Sequence, residues 1–136
     1  MKKFVRLMSL ALVAVMLCAT LASCGGPAKD PADALAALKE NEYVAAEDKL
    51  IIPAALKLLG VDGIKSVVSG SATIEDKLET VTIIYFDEAE DAKNAMEKVE
   101  DYAEEKKDKA EDSDWVVKQS GAMIYFGTKA GIKAAK

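Results

Sequence analysis

Apolar and polar residues follow different periods along this chain, and each change of period marks an element. Residues 78–86 (LETVTIIYF) are rich in β-branched and aromatic types and form the clearest strand pattern. Just after it, Ala89, Ala92, Met96, Val99 and Ala103 recur at spacings of three and four, the stripe of a long amphipathic helix. Asp87 and Glu90 open that helix in the manner of a capping box. Its charged end, 104–112, should protrude, with helix continuing to about Lys109 on the support of a Glu105–Lys109 pair.

The remaining elements are bounded by turn and cap chemistry. Asp30 and Pro31 start a helix that carries Leu35 and Leu38 and stops near Asn41, a residue that tolerates the left-handed conformation. Residues 43–46 form a short strand. A helix over 54–59 is bracketed by Asp48 and Pro53 and closed by Gly60. Leu50, Ile51, Ile52, Leu56, Leu58 and Leu59 are too many apolar groups for one narrow stripe, which predicts a well-buried segment. Residues 64–72 read as a strand and 73–77 as a turn. Strands at 115–119 and 122–127 flank Ser120-Gly121, a two-residue hairpin signal, and Thr128 caps a last helix over 129–136. The order is α-β-α-β-β-α-β-β-α, an α+β class. Its inner part suggests a ferredoxin-like two-layer sandwich, an antiparallel sheet with helices mainly on one face.

The first 23 residues are unlike the rest. Lys2, Lys3 and Arg6 precede a run from Leu7 to Cys18 that is apolar except for Ser9, and small residues follow. This is the layout of a secretory signal, and the run is shorter than the roughly 20 apolar residues a membrane span needs. The next residues, Leu21-Ala22-Ser23-Cys24 followed by Gly25-Gly26, resemble the lipobox of bacterial lipoproteins. The resemblance covers only about the first 26 residues. It implies that the chain is cleaved before Cys24, that Cys24 carries a thioether-linked diacylglycerol, and that the protein is held on the outer side of a bacterial cell membrane. Three segments follow: a signal at 1–23, a lipidated cysteine with a short tether at 24–29, and one α+β domain at 30–136.

Composition then removes function classes. Without the leader, 15 basic residues face 23 acidic ones, a formal −8 that disfavours nucleic acid and anionic lipid as partners. Histidine is absent, removing the commonest general base and metal ligand. With Cys18 in the leader and Cys24 taken by lipid, no thiol remains for catalysis or a disulfide. The serines lie in strand or turn patterns without a nucleophile-elbow context. Asp87, Glu88, Glu90 and Asp91 sit where a helix dipole favours anions, without the spacing of a cation loop. No metal, cofactor or catalytic residue is expected.

The chain is therefore expected to be a non-catalytic binding or interaction module, its partner an envelope protein, a peptide or a small ligand. An enzyme using lysine and carboxylates, or a passive structural lipoprotein, are the alternatives. Alternation assigns Val81, Ile83 and Tyr85 to a helix-covered core, together with Trp115, Val117, Ile124 and Phe126. The opposite face would present Thr80, Thr82, Val116, Lys118, Met123 and Tyr125, the candidate interaction surface, unless the first or last helix covers it.

Overall fold

The computed structural model describes residues 26–107 and 115–136. The signal segment, Cys24 and the expected helix end at Lys109 lie outside the described residues. Helix α1 (Pro31–Glu40) starts as its residues dictate: the Asp30 carboxylate accepts the Ala32 N–H at 2.8 Å, and Pro31 holds the first position. The left-handed residue after it is Glu42 (φ 67°), not Asn41 (φ −89°). Strand β1 (Val44–Glu47) follows.

Helix α2 (Ile51–Leu58) begins three residues earlier than expected. Asp48 explains the difference, because its carboxylate takes the N–H groups of Leu50, Ile51 and Ile52 at 2.9, 2.8 and 3.0 Å. Pro53 then lies within the first turn, where its missing N–H leaves no helical bond unmade. Gly60 (φ 87°) ends the helix in the left-handed region. Strands β2 (Ile64–Ile74) and β3 (Lys77–Phe86) form a long hairpin. Its turn residues Glu75 and Asp76 both have positive φ, 53° and 66°, as a two-residue hairpin loop of the primed type requires.

Helix α3 (Ala89–Lys107) leads to a second hairpin of β4 (Trp115–Ser120) and β5 (Met123–Thr128). The turn is Gly121-Ala122, one residue later than expected, since Ser120 pairs with Met123 and Gly121 is the residue with positive φ (59°). Helix α4 (Lys129–Ala134) is capped by Thr128, whose Oγ1 accepts the Gly131 N–H at 3.2 Å.

The chain is α+β, and the described residues form a five-stranded antiparallel sheet in the order β1-β2-β3-β5-β4 with four helices packed on it. Helix α3 joins β3 to β4 with β5 inserted between them, a split βαβ unit. A ferredoxin-like sheet has two such units. Here α2 instead links direct antiparallel neighbours, β1 and β2. Both faces of the sheet carry helix. Helices α2 and α3 lie over Val67, Ile84, Phe86, Ile124 and Phe126, and α1 and α4 lie over Val68, Val81, Ile83, Tyr85, Met123 and Tyr125.

That division corrects two expectations. Ile83 pairs with Tyr125 and Thr82 with Phe126, so Val81, Ile83 and Tyr85 share a face with Val116, Met123 and Tyr125 rather than with Trp115 and Phe126. Alternation sorts the residues within each strand; it does not say how the faces of two strands match, and a one-residue slip exchanges them. The second correction concerns α2, where Leu50, Ile51 and Leu58 are 78, 77 and 89% exposed and only Leu56 is fully buried. At eight residues the helix is too short to wrap its excess apolar groups against the sheet.

The α4 seam shows how tightly the second face closes. Thr128 is buried, and its hydroxyl accepts the Thr80 N–H at 3.2 Å while donating to the Thr80 carbonyl at 3.3 Å. Gly127 and Gly131 let β5 and α4 approach that same carbonyl, and a Cβ on either would collide with it.

Candidate functional site

The α2/α3 side of the sheet is covered at one end and open at the other. Over Ile84, Phe86 and Ile124, α3 contributes Ala92, Ala95 and Val99 and the core is apolar and buried. Toward the β2–β3 turn the same face changes character. Register places Val44, Ser71 and Thr80 in one cross-strand row and Ala46, Ser69, Thr82, Phe126 and Val117 in the next. Neither row is apolar throughout, and Ser69, Ser71, Thr80 and Thr82 are half-buried.

Between this floor and the flanking helices lies a groove of about 360 Å³, lined by Asp48, Ile51, Ile52, Leu78, Thr80, Thr82, Tyr102, Lys106, Trp115 and Phe126. Its walls come from four elements. Helix α2 supplies Ile51 and Ile52 because Asp48 fixes its start at the groove's edge. The last turns of α3 supply Tyr102 and Lys106, which are four residues apart and therefore adjacent on one face, with the Lys106 ammonium 5.3 Å from the centre of the Tyr102 ring. The start of β4 supplies Trp115 and β5 supplies Phe126, their rings 6.0 Å apart, with Tyr102 set edge-on to Phe126 at 6.1 Å.

The polar groups of the groove sort by what already holds them. Burial raises the Asp48 carboxyl, but three backbone N–H donors outweigh it and leave the group below its ordinary value. That carboxylate is committed to the helix start. The Tyr102 hydroxyl is pushed up first by burial and then by the negative charges of Asp48 and Glu105. The Trp115 Nε1–H is buried and has no hydrogen-bond partner among the described residues. Lys106 is the basic group at the rim. Exposed Ile51, half-exposed Leu78 and the aromatic trio thus form an apolar channel with hydroxyls beneath and one cation at the edge.

The six expected surface residues are split between the two faces. Thr80 and Thr82 lie in the groove floor. Met123 and Tyr125 are core residues on the α1/α4 face, 4 and 3% exposed, and Val116 packs beside them. Lys118 is exposed, directly across from Tyr125. Sequence reasoning missed Ile51, Leu78, Tyr102 and Lys106. A signal existed for the first two, since apolar excess on a short helix and at a hairpin end is hard to bury; Tyr102 and Lys106 carried none.

A larger recess of about 510 Å³ between α2 and the start of β2 is lined chiefly by charged groups, Glu47, Asp48, Lys49, Lys57, Asp62 and Lys65 among them. Among the described residues, no group of three or more acidic or cysteine side chains converges to hold a metal ion, and no helix is long and apolar enough to cross a membrane. No protein-family model, curated protein or solved structure matches this chain.

Proposed function

We propose that this protein is a lipid-anchored binding module, held outside a bacterial cell membrane through Cys24, and that the groove between α2, α3 and the sheet takes an amphipathic ligand without transforming it. The observation that carries the binding role is the groove itself. Large apolar side chains stay exposed at Ile51 and Leu78 beside an aromatic wall, a combination that water disfavours and a ligand would relieve. The Thr80 and Thr82 hydroxyls can each donate and accept, and Lys106 favours an anionic group at the rim. A non-catalytic role is supported by the state of the ionisable groups: Asp48 is occupied by three backbone donors, and the Tyr102 hydroxyl is raised and so stays protonated at neutral pH. The anchor rests on the lipobox-like run Leu21-Ala22-Ser23-Cys24 behind a basic and then an apolar segment.

Trp115 is the chain's single tryptophan and lines the groove, so its emission reports occupancy. Anilinonaphthalene sulfonate, an apolar anion, should bind and receive energy from Trp115. Ile51→Glu and Leu78→Glu should each weaken that binding about tenfold or more, a loss of about 1.4 kcal/mol, with unchanged circular dichroism. Equal binding by the folded variants would remove the groove from the proposal. Cys24→Ala should abolish lipid attachment and detergent partitioning, and a variant that still partitions would remove the anchor.

A further inference from the structure

Residues 26–28, just beyond the proposed anchor, are packed against the domain. Gly26 and Pro27 are buried, and Gly26 lies so close to Tyr125 that a Cβ there would stand 3.0 Å from the ring. Ala28 is fixed at both ends of its peptide unit: its N–H donates to the Ala135 carbonyl at 2.9 Å, and its carbonyl accepts the Tyr85 hydroxyl at 2.7 Å. All these contacts are on the α1/α4 face, whereas the groove opens on the α2/α3 face. Cys24 is two residues from Gly26, a reach of at most about 7 Å.

With residues 26–28 docked and Cys24 so few residues away, a lipid on Cys24 would leave the domain little freedom to turn over. The surface around it also departs from the acid excess of the chain. Lys29 and Lys136 flank the Ala28–Ala135 bond, Lys133 lies one turn back on α4, and Lys118 is across from the Tyr125 that holds Gly26. All four are exposed, and they are matched by Asp30, Asp33 and, through the Asn41 side chain that donates to the Ala134 carbonyl at 3.1 Å, Glu40 and Glu42, so this side lacks the acid excess of the chain as a whole. Each lysine at such a surface is attracted by anionic headgroups within about a Debye length.

We propose that the α1/α4 side of the domain rests on anionic phospholipid headgroups, with Lys118, Lys133 and Lys136 turned toward them and the groove mouth turned away from the bilayer. The inference rests on the lipid anchor at Cys24 and adds an orientation to it. The groove would then be filled from the aqueous side.

The test uses the full chain, produced with its lipid and reconstituted in vesicles of phosphatidylethanolamine and phosphatidylglycerol that carry a headgroup-attached quencher. Single cysteines at Lys118→Cys, Lys136→Cys and Ile51→Cys are labelled with one fluorophore, since Cys24 is blocked by its thioether. Quenching should be several-fold stronger at positions 118 and 136 than at 51. Equal quenching at the three positions, or the strongest at 51, with lipid confirmed on Cys24 by mass spectrometry, overturns the orientation and leaves the anchor standing. Absence of lipid on Cys24 overturns both.

Discussion

The two faces of one sheet are built from neighbouring residues of the same strands, yet they close differently. On the α1/α4 face the contacts are short-range and small: Gly70 lies under Leu38, Gly127 and Gly131 press on the Thr80 carbonyl, and Ala34 and Ala135 are fully buried. Small residues let helices of ten and six residues come close enough to seal the face. The α2/α3 face uses a nineteen-residue helix that packs on Ile84, Phe86, Ile124 and Phe126, and the eight-residue α2 leaves Thr80 and Thr82 only partly covered. Hydroxyl residues replace aliphatic ones where cover runs out. The proposed binding surface is the part of a core that lacks its second layer.

The strongest test of that comparison is whether both faces are core at all. Ile83 and Ile84 are adjacent, fully buried and on opposite faces. Ile83→Ala and Ile84→Ala should each destabilise the protein by about 2–5 kcal/mol in urea unfolding. A sheet covered on one face only would show a large loss for one and almost none for the other.

How much of this was legible in the chain depends on the range of the interaction. The sorting of each strand into two faces was legible, because it follows from the pleat: Thr80 and Thr82 against Val81, Ile83 and Tyr85, and Trp115 and Val117 against Val116 and Lys118. The phase between β3 and the second hairpin was not, since it is set by pairing across some forty residues of intervening chain. One clue lay in plain view. Ile83–Phe86 and Met123–Phe126 are unbroken apolar runs, the pattern of strands buried on both faces, and each is buried throughout. The groove depends on how Tyr102 and Lys106 of α3 sit over the sheet, which no local pattern encodes; only the surplus of apolar residues around Ile51 hinted at it.

Sealing of the α1/α4 face can be weakened at a single atom. Thr128→Val keeps the shape of the side chain and removes a hydroxyl that accepts from Thr80 and Gly131 and donates to Thr80. The part-buried Thr80 N–H and the buried Gly131 N–H are left short of a partner, so thermal unfolding should show a loss of about 1–3 kcal/mol. Loss near zero would mean that the glycine-mediated approach alone holds α4 to β3.

On the open face, the start of α2 is the weak point. Asp48→Ala removes three N–H acceptors and should cost about 1 kcal/mol. The pH dependence has a definite sign. Because the folded carboxyl lies below its ordinary value, the contribution is present at neutral pH and is lost as the pH falls below the unfolded value of about 3.9 and through the folded one. The wild-type and Asp48→Ala melting temperatures should therefore converge on acidification. A constant difference down to the lowest pH would assign the stability to something other than the cap.

The smallest expected change in stability is at the groove floor, and it is the most informative about function. Thr82 is half-buried, pairs with Ser69 and Phe126, and lies under the groove rather than under a helix. Thr82→Val keeps the β-branched shape that suits a strand and exchanges a hydroxyl for a methyl. Core logic and surface logic then diverge. If this end of the sheet is an unfilled binding floor, stability should change by no more than about 0.5 kcal/mol, because no helix packs on the site. Binding of the anionic apolar probe, followed through Trp115, should nonetheless change, tightening for a ligand held by apolar contact and weakening for one that uses the Thr82 hydroxyl. A substitution that alters stability by as much as Ile83→Ala while leaving probe binding untouched would place Thr82 in a closed core, and the contrast between the two faces would disappear.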